Sequence, residues 1–84
     1  MMSYWDLPRV DMGLNTDPYD GELWTQKVAE FKALVEEHGV ARASWSCTGR
    51  TRHQMHAQQL AKACPEYDFE IDYDSYRCVG RKRK

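Results

Sequence analysis

Tyr67-Asp68-Phe69-Glu70-Ile71-Asp72-Tyr73-Asp74-Ser75-Tyr76-Arg77-Cys78 is the stretch whose reading decides the fold. Tyr67, Phe69, Ile71 and Tyr73 alternate with Asp68, Glu70, Asp72 and Asp74, the period of a strand with one buried and one wet face. A tight turn near Asp74-Ser75 pairs Tyr73 with Tyr76, Asp72 with Arg77, Ile71 with Cys78 and Asp68 with Arg81. One face of this hairpin is then aromatic and buried, and the other sets acids against arginines. A slip of one residue would turn every side chain over.

Working back from the hairpin, Pro65 closes a helix expected over about Arg52 to Cys64, with Thr51 as its cap. Leu60 anchors the buried side of that helix. His53, His56, Ala57 and Cys64 stand three, four or seven residues from Leu60 and share its side. The side facing the core is therefore poor in large aliphatics and carries two histidines. Before it, Ala41, Ala43, Trp45 and Cys47 alternate with Arg42, Ser44, Ser46 and Thr48, which reads as a half-buried strand over 41–47. Gly49-Arg50 breaks it. Earlier still, Trp24, Val28, Phe31, Leu34 and Val35 form an apolar stripe at helical spacing. Asp17 or Asp20 caps this helix, and His38-Gly39 ends it with a glycine free to turn left-handed. The order helix, strand, helix, strand, strand implies an α+β layer fold: a three-stranded sheet with two helices packed on one face.

Residues 1–19 show no clean period, and Pro8, Gly13, Asn15, Asp17 and Pro18 are turn formers. Tyr4, Trp5, Leu7, Val10, Met12 and Leu14 are too apolar for a solvated tail. An extended arm that packs on the domain or on another chain is expected over 1–19. It precedes a single domain over 20–82 and a basic end over 81–84.

The chain has 84 residues, of which 42% are hydrophobic and 30% charged, enough for one small core. No apolar run is long enough to cross a membrane. Met1 to Val10 lacks the apolar centre of a secretory signal, and three cysteines without a C-x-x-C argue against a disulfide framework or a zinc knuckle. A reducing, intracellular and cytoplasmic setting follows as the expectation. The net charge of −1 hides an asymmetry: residues 1–42 carry four Lys/Arg against eight Asp/Glu, and residues 43–84 carry eight against five. Charge segregated in this way bears on partners rather than on fold.

The main chemical motif is Arg50-Thr51-Arg52-His53-Gln54-Met55-His56. Arg52 and His56, four apart, project from one face at the start of the second helix. Backbone N–H groups at a helix N-terminus attract anions, and arginine adds planar geometry suited to phosphate. The alternative is that His56 packs against the sheet while Arg52 pairs with a carboxylate. Arg81-Lys82-Arg83-Lys84 adds a second basic group, which either draws phosphate non-specifically or is a solvated end.

Arg52-x-x-x-His56 resembles the signature of the Arg-x-x-x-His domain family, which binds single-stranded nucleic acid. Ala57, Leu60 and Ala61 follow on a helix, then comes a hairpin with Arg77 on its second strand, and the element order is similar as well. The resemblance covers roughly residues 40–82. It implies Arg52 and His56 as the contact pair with Arg77 in support. The chain departs from the family at Pro65-Glu66-Tyr67-Asp68, where a small Ser/Gly loop is usual. The acidic row would repel phosphate, so a nucleic-acid surface must lie away from that strand face.

The leading expectation is a non-enzymatic protein that binds single-stranded DNA or RNA. Arg50, Arg52, His53, His56 and Arg77 serve the contact, with Arg81, Lys82, Arg83 and Lys84 supplying field. The rival is a small viral or mobile-element protein that modulates a host protein, or pairs with itself, through its arm or its acidic hairpin face. Tyr4, Trp5 and Leu7 are then the interface. No catalytic residue, cofactor, metal or membrane is expected. The acidic row is a flat line rather than a cage, His53 and His56 lack a second pair of ligands, and no acid is placed to orient a histidine.

Overall fold

The computed structural model describes residues 3–13, 21–45, 49–72 and 74–83, with Arg50 by its backbone alone. A 3-10 turn at Tyr4–Asp6 leads into β1 (Arg9–Asp11), followed by α1 (Gly21–His38), β2 (Val40–Ser44), α2 (Arg50–Ala63), β3 (Tyr67–Asp72) and β4 (Arg77–Lys82). The fold is α+β, with two helices and a mixed sheet in the order β1-β2-β4-β3.

The sheet has four strands, not the three expected. The additional strand comes from the arm: Arg9, Val10 and Asp11 pair in parallel with Arg42, Ala43 and Ser44. Bonds from Arg42 N to the Pro8 carbonyl and from Met12 N to the Ser44 carbonyl, both 2.8 Å, extend the ladder. The run is three residues long, too short to show a period, so its strand character comes from the partner rather than from local pattern.

The hairpin takes the expected register, with Asp72 opposite Arg77, Ile71 opposite Cys78 and Asp68 opposite Arg81. The expected Tyr73–Tyr76 pair lies outside the described residues. The ion pairs run diagonally instead of straight across. Arg83 Nε lies 2.8 Å from Asp68 Oδ1, and Arg81 Nε lies 3.7 Å from Glu70 Oε1. Diagonal neighbours on a sheet stay within reach of a long side chain.

Register sorts the strands into two faces. Val10, Ala41, Ala43, Cys78 and Gly80 face the helices, together with Phe69 and Ile71. They meet Phe31 and Val35 of α1, Ala57 and Leu60 of α2, and Cys64 just beyond it in one core. Gly39, at φ +81°, ends α1 as its position implied. α2 begins at Arg50 with an extended Gly49 as its cap, two residues earlier than the sequence suggested, and Thr51 falls inside the first turn. β2 ends at Ser44, and 46–48 of the expected strand lie outside the described residues. The opposite face carries Val40, Arg42, Val79, Arg77 and Arg81, and it receives the N-terminal arm.

Candidate functional site

The expected contact pair is divided. Arg52 is exposed on the first turn of α2, whereas His56 is buried at 3% exposure and His53 at 1%. Both imidazoles turn inward onto Trp45, with ring centroids 5.4 Å from His53 and 5.9 Å from His56. The expectation that positions 52 and 56 open together onto water is therefore corrected. The reason is packing: α2 has few large aliphatics on its inner side, and the imidazoles fill it beside Leu60 and Ala57.

The other expected basic residues whose side chains are described are engaged within the molecule. Lys82 Nζ lies 3.0 Å from Glu36 Oε1, Arg81 meets Glu70, and Arg83 meets Asp68. Arg77 is on β4, exposed, beside the arm. The Arg50 side chain and Lys84 lie outside the described residues. His53 and His56 thus do not share a surface with exposed Arg52, and Arg81, Lys82 and Arg83 each face a carboxylate of the same chain.

The arm residues do come together. Ser3 Oγ donates to Asp6 Oδ2 at 2.9 Å, and Leu7 N donates to the Tyr4 carbonyl at 3.2 Å, so the segment closes as one short turn. Leu7 is buried at 9% exposure and fixes the turn to the sheet, while Trp5 stands 69% exposed. The Tyr4 and Trp5 rings meet edge to face, with centroids 5.1 Å apart. Under them lie two guanidinium groups. That of Arg42 is 4.8 Å from the Tyr4 centroid and 5.3 Å from that of Trp5, and that of Arg77 is 4.6 Å from the Tyr4 centroid. Each such contact contributes about 0.5–1 kcal/mol at an exposed site. Arg42 Nε also donates to the Leu7 carbonyl at 3.4 Å.

Beside this cluster opens a groove of about 590 Å3. Val40, Val79 and Leu7 give it apolar lining, Arg77 and Arg81 a basic side, and Glu70 and Asp72 an acidic side. Asp72 Oδ1 accepts from the backbone N–H of Asp74 at 3.0 Å and of Ser75 at 3.4 Å. Hydrogen bonds from Ser75 and Asp74 hold its carboxyl below the ordinary value. It therefore stays charged at neutral pH.

Arg42, Val40 and Val79 were not among the sequence's site candidates. The alternation of β2 put Arg42 on the polar face. Nothing local showed that the arm would return over that face. Among the described residues, no group of three or more His, Cys, Asp or Glu side chains is arranged to hold a metal ion, and no helix is long and apolar enough to cross a membrane. Comparison with protein-family models, with curated proteins and with solved structures finds no match.

Proposed function

We propose that this protein works by binding, through the sheet face on which its arm is seated, and that its partner is a segment of another protein. One observation carries this reading: Tyr4 and exposed Trp5 stand over Arg42 and Arg77 at the edge of a groove with apolar lining. Trp, Tyr and Arg supply a disproportionate share of binding energy at protein interfaces, because large flat groups bury much area at small entropic cost. The turn that holds Tyr4 and Trp5 is already formed, so little ordering remains to oppose association.

Charge favours a polypeptide over a polyanion. The groove sets Arg77 and Arg81 beside Glu70 and Asp72, and a partner with both signs can answer all four. A phosphate backbone would meet the two carboxylates at close range. The second reading, single-stranded nucleic acid, keeps one observation in its favour. An exposed aromatic ring next to a guanidinium is also a stacking platform for an unpaired base.

The experiment compares the two ligand classes directly. Peptides selected from a random library on the immobilised protein, and short oligo(dT) and oligo(U) strands, are titrated by fluorescence anisotropy at low salt. Micromolar binding of selected peptides, with weak or absent binding of the strands, supports the protein-segment reading. Tight, salt-sensitive binding of the strands with no peptide recovered replaces it by the nucleic-acid one.

A further inference from the structure

The inner start of α2 holds a polar group that the binding surface does not use. His53 is 1% exposed, and among the described residues neither of its ring nitrogens makes a hydrogen bond of ordinary geometry. Its ring is clasped on two sides. Trp45, just beyond β2, meets it edge to face at 5.4 Å and 89°, and Tyr76, in the β3–β4 turn, meets it at 5.2 Å and 84°. Among the described residues, the groups that face it are thus His56 from its own helix, Trp45, and the phenol and backbone of Tyr76.

Tyr76 is itself unusual. It is the one non-glycine residue among those described with a positive φ, at +57°. A side chain pays for that conformation, and glycine or asparagine is usual there. The turn keeps tyrosine at the strained position, where its ring covers His53. Asp72 anchors the other side of the turn through the Asp74 and Ser75 N–H groups.

We propose that His53 is the latch of a pH-responsive contact, and that protonation of its imidazole releases the β3–β4 turn from the start of α2. A charged imidazole has two N–H groups to satisfy, and among the described residues this setting offers at most the Tyr76 backbone, with His56 of the same sign beside it, so the ring must regain water. Tyr76 is the exposed member of the clasp, so moving it uncovers the ring without disturbing buried Trp45. Release also lets Tyr76 leave its strained backbone. Burial is the largest influence and favours the neutral ring; the Tyr76 backbone, next in size, favours the charged one as a hydrogen-bond partner, and His56 adds a smaller push toward neutral, so the balance lies with the neutral ring. The open form is thus expected on the acid side of the ordinary histidine range. Arg77 follows Tyr76 directly, so the motion reaches the Tyr4 contact.

The test is a titration of the full chain from about pH 8 to about pH 5, across the ordinary histidine range, followed by NMR. Expected is one coincident midpoint for the His53 ring proton, the Tyr76 amide and the Trp45 indole, below the ordinary histidine value. The Val35 and Leu60 amides stay fixed. In His53→Phe, the Tyr76 amide no longer titrates; His53→Gln serves the same purpose if the bulkier ring does not fold. Three outcomes overturn the latch: a Tyr76 midpoint at or above the ordinary histidine value, a Tyr76 transition that survives in the variant, or loss of all amides together before the turn moves alone.

Discussion

The ring of Phe31 occupies the space that a side chain at Gly80 would need. A Cβ at position 80 would lie 2.7 Å from Phe31 Cζ and 2.9 Å from Cε1, with Phe69 Cε2 at 3.2 Å on the other side. Phe31 is fully buried and stacked on Phe69, with centroids 5.7 Å apart, so neither ring can yield cheaply. Gly80→Ala is expected to cost about 1–3 kcal/mol through overpacking. A fall in the urea midpoint with an unchanged slope is the expected result. A midpoint equal to that of the native chain would mean that α1 is not seated on β4 as described.

Tyr67 ties the last turns of α1 to the end of the hairpin. Its hydroxyl donates to Glu36 Oε2 at 2.9 Å, and Lys82, its neighbour across the strands, holds Glu36 Oε1 at 3.0 Å. Burial and this bond push the Tyr67 phenol up to about 12. An alkaline absorbance titration should therefore show one tyrosine ionising late, and Tyr67→Phe should remove that late step. If every tyrosine ionises in a single ordinary step in the native chain, the bond is absent in solution.

Cys64 and Cys78 are both fully buried, and burial raises their thiols to about 11 and about 12. The folded state holds these protons where the unfolded chain has released them. Their contribution to stability is complete below the ordinary thiol value of 9.0 and is lost as pH climbs through the folded values. In a Cys47→Ser background, neither thiol should react with a disulfide reagent near neutral pH until denaturant is added. Rapid reaction of either one in the native state would contradict this packing. Thermal unfolding should also move to lower temperature as pH rises above the ordinary thiol value.

Much of the fold was legible because its signals are local. The hairpin register follows from the alternation of Tyr67 to Asp74, and α1 from the spacing of Trp24 to Val35. β1 was not legible, since Arg9–Asp11 is a strand by virtue of lying beside Arg42–Ser44. The candidate site was half legible. Tyr4, Trp5 and Leu7 stood out as apolar residues in a stretch without period, but their seat over Arg42 and Arg77 depends on a return of the chain that no spacing records. His53 and His56 show two signals in conflict. The Arg-x-x-x-His spacing pointed outward, whereas their distance from Leu60 pointed inward. The packing demand prevailed, because α2 has little else to bury.

Within the arm, stability and display are expected to separate. Leu7 is buried and should cost about 2 kcal/mol or more as Leu7→Ala. Trp5 is mostly exposed, and Trp5→Ala should stay within about 1 kcal/mol of the native chain, the scale of its contacts with Arg42 and Tyr4. Denaturation of the two variants side by side checks the difference. Equal losses would mean that Trp5 serves the fold rather than an interface.

The most direct test of the binding account is the affinity of a library-selected peptide for three variants of the full chain. Trp5→Ala and Arg77→Ala remove the cluster above the groove, and Leu23→Ala removes another exposed apolar residue, on α1. The account predicts a loss of at least about tenfold, or 1.4 kcal/mol, for each of the first two and no change for the third. Undiminished affinity in both Trp5→Ala and Arg77→Ala would contradict it.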